Sequence, residues 1–311
     1  MTFAFVFPGQ GSQSVGMMQP FVGSNTVRAV FAEAADVLGQ DLWKLAAEGP
    51  AEALSATVNT QPLMLTAGYA VYRAWREAGG GEPSLVAGHS LGEYTALVVA
   101  GAISFADCLP LVRLRGRAMQ EAVPQGTGAM AAILGLDDEA VKSACAEGAA
   151  GDVCEAVNFN APGQVVIAGH AGAVQRAIEA AKARGAKRAV ALPVSAPFHS
   201  SLMAPAAARL REALERIAVN SPRIPVIHNV DAKSHADASG VRKALVAQAD
   251  HPVRWVECVR EMAARGMTQI FECGPGKVLA PLVRRTAGGM QGVALADRAG
   301  LEQALQLSKG T

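Results

Sequence analysis

Apolar and polar positions along this chain fall into two alternating rhythms. Short apolar runs at 3–7, 84–87, 224–227 and 269–271 each stop at or near a Gly, Pro, His or Asn turn. Between most of them lie longer stretches in which apolar residues recur every three or four positions, the spacing of a helix with one buried face. Short buried strands alternating with helices indicate a parallel sheet covered by helices, so the fold class expected is α/β.

Residues 126–194 follow a different order. AMAAILGL at 129–136 predicts a strand, and the next helix, at 137–147, is opened by acidic residues. VCEAVNFN and QVVIAG predict two strands joined by Ala161-Pro162-Gly163, then a helix closed by Gly185 and a last strand in AKRAVALPV. That βαββαβ order is the ferredoxin-like split unit. It places a small inserted subdomain at 126–194, with 1–125 and 195–311 forming the larger, parallel-sheet subdomain.

Composition narrows the class. At 311 residues, half of them apolar, the chain can bury a large core, and its 28 basic and 27 acidic residues give a net charge of +1. Nothing in that balance argues for a nucleic-acid or membrane partner. The apolar run near 96–106 falls well short of the ~20 residues that span a bilayer. The opening MTFAFVFPGQ has no basic residue before its apolar run and reads as a first buried strand, not a signal peptide. Five cysteines (Cys108, Cys145, Cys154, Cys258 and Cys273) form no CxxC pair and have no His at metal-ligand spacing. They read as small core residues in a reducing cytoplasm.

The chemistry begins at 85–102, LVAGHSLGEYTALVVAGA. A strand, a G-x-S-x-G turn and a helix together make a nucleophile elbow, in which Gly88 and Gly92 leave room for a strained turn that lifts the Ser90 hydroxyl to the top of the sheet. The same glycines would also serve a tight turn that needs them only for packing. At a helix N-terminus the backbone N–H groups favour an oxyanion, and the amide of Leu91 is the natural donor.

A serine needs a base, and there are six histidines. His89 is next to Ser90 but points elsewhere and reads as a packed orienting residue. His170, His235 and His251 read as capping or solvated residues. His228, at the end of a strand, stays a weaker candidate. His199, in VSAPFHSSLM where the small subdomain rejoins the large one, is the strongest, although a polar loop histidine would look the same.

With these residues in hand the chain resembles the malonyl-CoA:acyl carrier protein transacylases. The resemblance rests on FVFPGQGSQ at 5–13, GHSLGEY at 88–94, VRLRG at 112–116, NFNAPGQVVIAG at 158–169, SAPFHSSLM at 195–203 and GPGKVL at 274–279, and runs nearly end to end. It implies a hydrolase-like large subdomain and a ferredoxin-like small one. It also implies Ser90 as nucleophile, His199 as base and the backbone amides of Gln10 and Leu91 as oxyanion donors. The histidine would be oriented by a backbone carbonyl at Gln248, which removes the need for an acidic third member. A dinucleotide reading of GQGSQSVG fails because its glycines miss the GxGxxG spacing.

The resemblance further implies that Arg115 holds the malonyl carboxylate, and the pattern offers an independent check. Ser104 and Asp107 form a capping box that opens a helix through FADCLPLVRLRGRAMQEAV. At 100° per residue Arg115 falls inside the apolar stripe of Phe105, Cys108, Val112, Gly116, Met119 and Val123, while Arg113 and Arg117 fall outside it and read as solvated charges. A buried guanidinium must find an anion or several acceptors; a structural ion pair is the alternative to a substrate carboxylate. Pro110 lies inside this helix and should remove a hydrogen bond. Phe198 would crowd the substrate α-carbon and exclude α-branched units.

The function expected is transfer of malonyl from malonyl-CoA to the phosphopantetheine thiol of acyl carrier protein, for fatty acid synthesis, by a monomer with no bound cofactor or metal. Loading a polyketide synthase or malonate decarboxylase carrier, a serine (thio)esterase, and a carrier-binding subunit without turnover are the alternatives. Arg188, Arg284 and Arg285 are candidate contacts for an acidic carrier protein.

Overall fold

The computed structural model describes residues 2–194 and 196–309; the expected return point of the chain at Ser195 lies outside them. The larger sheet contains β1 (Phe3–Phe7), β2 (Leu85–Gly88), β7 (Val226–Ile227), β8 (Gln269–Glu272) and β9 (Gln291–Ala294), in the order β7-β2-β1-β8-β9 and all parallel. β1 lies at the centre and is buried along its whole length.

Its FAFVF sequence shows why a strand covered on both faces is apolar throughout. Phe3, Phe5 and Phe7 point to one side, where Trp75 of the helix Thr57–Glu77 packs edge-on against Phe5 at 5.2 Å. Ala4 and Val6 point to the other side, toward Ile227, Trp255, Met262 and Ile270. Each side has its own cluster.

Register brings the loops of the site together. Phe7 pairs with Gly88, Ala87 with Ile227 and Val6 with Glu272, so β1, β2, β7 and β8 all end at one edge. The Pro8–Gly9–Gln10 loop, the Ser90 turn and the His228–Asn229 corner emerge there side by side. The carboxyl edge of a parallel sheet is where α/β proteins place their chemistry.

The second sheet is antiparallel: β3 (Gly128–Leu134), β4 (Cys154–Ala161), β5 (Gln164–His170) and β6 (Arg188–Ala191) run in the order β4-β5-β3-β6. With the helices Asp138–Ala149 and Ala171–Ala183 between strands, this is the ferredoxin-like arrangement that its pattern predicts. Asp137 caps the first helix by accepting from the Ala140 amide, and Gly163 turns β4 into β5 at φ 71°.

Two features depart from the sequence reading. β9 is unforeseen: it is four residues long at a sheet edge, and Gly292 is required because a Cβ there would lie 2.5 Å from the Ala280 carbonyl oxygen. Arg113 is not a simple solvated charge; it is half-buried and donates to the Leu38 carbonyl and to Gln40, closing the end of the helix Asn25–Leu38. Pro110 is accommodated inside one continuous helix, Phe105–Glu121, capped by Ser104. Among the described residues no helix is long and apolar enough to cross a membrane, and no group of three or more His, Cys, Asp or Glu could hold a metal ion.

Candidate active site

Ser90 occupies the left-handed region at φ 51°, a strained setting for a residue with a side chain. Close packing over-determines it. A Cβ on Gly88 would lie 1.9 Å from the carbonyl carbon of Gly92, and one on Gly92 would lie 1.9 Å from the Phe7 carbonyl oxygen. The turn therefore presses directly on β1 and then runs into the helix Gly92–Val99. From β7, Asn229 clasps the elbow: its Oδ1 accepts the Ser90 amide at 2.7 Å and its Nδ2 donates to the Gly88 carbonyl at 2.7 Å.

The Ser90 hydroxyl meets two groups. His199 Nε2 lies 2.7 Å away and Arg115 Nη2 donates to Oγ at 3.1 Å. His199 is buried, and its Nδ1 is 2.8 Å from the backbone carbonyl of Gln248. A carbonyl only accepts, so Nδ1 carries the proton and Nε2 offers its lone pair to the hydroxyl. Burial, and then the charge of Arg115, lower the imidazole pKa to about 3. The ring is neutral and ready to take a proton at physiological pH.

Arg115 is 2 % exposed. Its fork donates to Gln61 Oε1 at 2.9 Å and Gln248 Oε1 at 2.9 Å, and its guanidinium carbon stands 5.2 Å from the centre of the Tyr94 ring. Its Nε is buried with no hydrogen-bond partner. Burial lowers its pKa, while Tyr94 and Glu93 act in the opposite direction. Among the described residues no carboxylate touches this cation, whose partners are Gln61, Ser90 and Gln248, so the structural ion pair considered as an alternative does not form among them.

Gln10 lies in the loop after β1, with its side-chain Nε2 anchored to Thr57 Oγ1. The adjoining Gly9 packs on the elbow: a Cβ there would lie 2.5 Å from the His89 carbonyl oxygen and 3.7 Å from the Leu91 nitrogen. Among the described residues neither the Gln10 nor the Leu91 amide has an acceptor. Two unpaired donors beside a nucleophile are what an oxyanion needs.

Gln10, Gln61, His89, Ser90, Leu91, Arg115, Met119, Met130, Asn158, Phe198 and His199 all line one cavity of about 120 Å³. That is small beside the ~300–1,000 Å³ of sites for drug-sized ligands and suits a short acyl group. Its lining is mixed: Arg115, Gln61 and Asn158 supply polar groups, and Met119, Met130 and Phe198 supply apolar ones.

The other histidines are elsewhere. His89 Nε2 bonds Asn160 Oδ1 on β4 and its ring packs on Trp255, so it ties the two sheets together. Burial lowers its pKa. His228 lies beneath the elbow, bonded to Glu93 and not to Ser90. His170 accepts from the Val153 amide, and His235 and His251 face Asp231 and Asp250 near the surface. Gln61, Glu93, Asn229 and the side-chain amide of Gln248 were not singled out from the sequence; for the three on helices the signal available was a polar residue within an apolar helix face, while Asn229 lies in the turn after β7.

Comparison with known proteins agrees with this site. The acyl transferase domain model matches residues 4–305. A curated relative named malonyl CoA-acyl carrier protein transacylase, from Escherichia coli strain K12, is 54% identical over 98% of this chain and 99% of its own. The crystal structure of acyl-carrier-protein S-malonyltransferase from Burkholderia pseudomallei superposes with a TM-score of 0.97 at 59% identity, covering 98% of this chain and all (100%) of that one. A malonyl-transacylase solved in complex with a type II PKS acyl-carrier protein gives 0.97 at 51% identity, over 99% of this chain and 100% of that one. With a nucleophile elbow, a neutral imidazole and an inward arginine in one small pocket, this chain belongs to the acyl transferase family, among its malonyl CoA-acyl carrier protein transacylases.

Proposed function

We propose that this acyltransferase moves a malonyl group from coenzyme A to the phosphopantetheine thiol of an acyl carrier protein through a malonyl ester on Ser90. The observation that carries the reading is the shared hydroxyl: Ser90 Oγ lies between a basic nitrogen of His199 and the guanidinium of Arg115. A malonyl thioester matches that pair. Its carbonyl carbon is the point of attack, and its carboxylate, one methylene away, is the anion that a buried fork can hold bidentately.

His199 Nε2 accepts the Ser90 proton as Oγ attacks the thioester carbonyl. The carbonyl oxygen takes the charge and is held by the amides of Gln10 and Leu91. Collapse breaks the carbon–sulfur bond, and the proton on Nε2 leaves with the coenzyme A sulfur. The carrier thiol then repeats the sequence in reverse: its proton goes to Nε2, its sulfur attacks the ester, and the proton returns to Ser90. Gln248 fixes the tautomer throughout by accepting from Nδ1. These groups supply nucleophile, base and oxyanion donors from the chain itself, so the reading calls for no bound cofactor or metal.

Phe198, half-buried on the cavity wall, is assigned the exclusion of α-branched acyl groups. The subdomain division is assigned at 1–125 with 195–311 and at 126–194, since β3 to β6 all fall in the second range. Arg188, Arg284 and Arg285 are exposed and are assigned to carrier docking, Arg285 reaching across to Gln164 and the Pro162 carbonyl. Five free, buried cysteines fit a reducing cytoplasm.

Fatty acid synthesis is the assigned pathway; the type II PKS relative supports a polyketide carrier as a second acceptor. The test supplies malonyl-CoA with holo carrier proteins of each pathway and measures malonyl-carrier and free malonate together. Transfer to a fatty acid carrier faster than to the others, and faster than malonate release, is the expected result. Faster malonate release makes the protein a thioesterase.

A further inference from the structure

Glu93 lies three residues after Ser90, in the first turn of the elbow helix, and is fully buried. It touches neither reacting group. Its Oε1 accepts from His228 Nδ1 at 2.8 Å, and its Oε2 accepts from the Asn229 backbone amide at 2.8 Å and from Gln248 Nε2 at 2.9 Å. Two of those partners carry bonds onward into the site. Asn229 holds the Ser90 amide and the Gly88 carbonyl. Gln248 donates to the Ser90 carbonyl at 3.0 Å, accepts from Arg115 with its side chain, and accepts from His199 with its backbone.

Nucleophile, base and cation therefore all trace back to one carboxylate within two hydrogen bonds. The link to Arg115 has a particular form: Nη2 donates to Gln248 Oε1, and the same amide donates from Nε2 to Glu93 Oε2. An amide is inserted into what would otherwise be a buried ion pair. A carboxylate placed directly on Arg115 would occupy the fork that a substrate carboxylate needs, while a guanidinium with no counter-charge at all would be costly to bury. At one remove, the charge is balanced while the fork is held by neutral oxygens of Gln61, Gln248 and Ser90, which a substrate carboxylate can displace.

We infer that Glu93 is the positioning residue of this site, holding the Ser90 turn, the Gln248 carbonyl that orients His199, and Arg115 in one register through Asn229 and Gln248. The inference rests on the reading of Ser90, His199 and Arg115 given above. Replacing Glu93 by Gln removes the negative charge and puts an NH₂ group either against His228 Nδ1, which must change tautomer to accept it, or against the Asn229 amide and Gln248 Nε2, which both donate. Small displacements of a nucleophile and its base cost about 100-fold in rate.

The experiment compares the full-length wild type with Glu93→Gln and Gln248→Met. The second variant keeps the backbone carbonyl used by His199 and deletes only the bridging amide. Folding is followed by circular dichroism and Ser90 by its rate of labelling with a fluorophosphonate. Glu93→Gln is expected to lower kcat per folded molecule about 100-fold for both malonyl and acetyl acylation, with KM for malonyl-CoA within about threefold, and to slow labelling in parallel. Gln248→Met is expected to lower kcat at least tenfold while remaining folded. Wild-type kcat per folded molecule in Gln248→Met, or in a folded Glu93→Gln, overturns the inference, as does a loss of activity fully accounted for by a smaller folded fraction. Controls separate it from the underlying reading: acylation that survives Ser90→Ala, or equal loss of malonyl and acetyl loading in Arg115→Ala, counts against the site itself.

Discussion

Arg115 Nη2 donates to Ser90 Oγ at 3.1 Å, so the cation assigned to the substrate already stands on the nucleophile. An arriving carboxylate takes the fork and leaves the hydroxyl to His199. Arg115→Ala is accordingly expected to lower malonyl acylation by about 100-fold or more, the scale of losing a buried charge-assisted pair. Acetyl acylation, which makes no use of the cation, should stay within about tenfold of wild type or rise. Parallel single-turnover rates with malonyl-CoA and acetyl-CoA decide the point, and an equal fall in both removes the clamp role.

The depressed pKa of His199 has a consequence for stability. Its folded value of about 3 lies below the ~6.5 of an exposed histidine, so between those values the unfolded chain binds a proton that the folded chain does not. Stability is then greatest above pH 6.5 and is lost as pH falls toward 3. His199→Gln, which cannot titrate, should lose about 2 kcal/mol less than wild type between pH 7 and 4.5. Urea midpoints at the two pH values measure this; parallel losses in both proteins contradict it.

Phe198 is tested by making room. Phe198→Ala is expected to raise acylation by methylmalonyl-CoA at least tenfold relative to malonyl-CoA, since one extra methyl in a tight apolar site is worth about 1–3 kcal/mol. If the ratio of the two rates is unchanged, another residue on the cavity wall excludes the branch.

What could be read from the sequence was local. Gly88 and Gly92 flank Ser90 within five positions, and the inward direction of Arg115 follows from helical geometry inside Phe105–Glu121. The split antiparallel unit was legible because its turns, caps and periodicities follow one another along the chain. Gln248 came only through the family resemblance, and His199, ranked first among the histidines by its place where the small subdomain rejoins the large one, was tied to Ser90 only by that resemblance, since the 109 positions between Ser90 and His199 and the 49 between His199 and Gln248 leave no local trace. Glu93 and Asn229, 136 positions apart, had no such help. Glu93 occurs in a helix with buried residues on every side, where a carboxylate is tolerable only because β7 and the helix Ala238–Asp250 deliver donors to it. Arg113 misled for a related reason: its position outside the apolar stripe was right, but the end of the helix Asn25–Leu38 covers it.

The most direct test of the central claim is the intact mass of the protein after brief mixing with malonyl-CoA. The account predicts one malonyl adduct, absent in Ser90→Ala and discharged when holo acyl carrier protein is added. No adduct on the wild type, or an adduct that persists in Ser90→Ala, would contradict it.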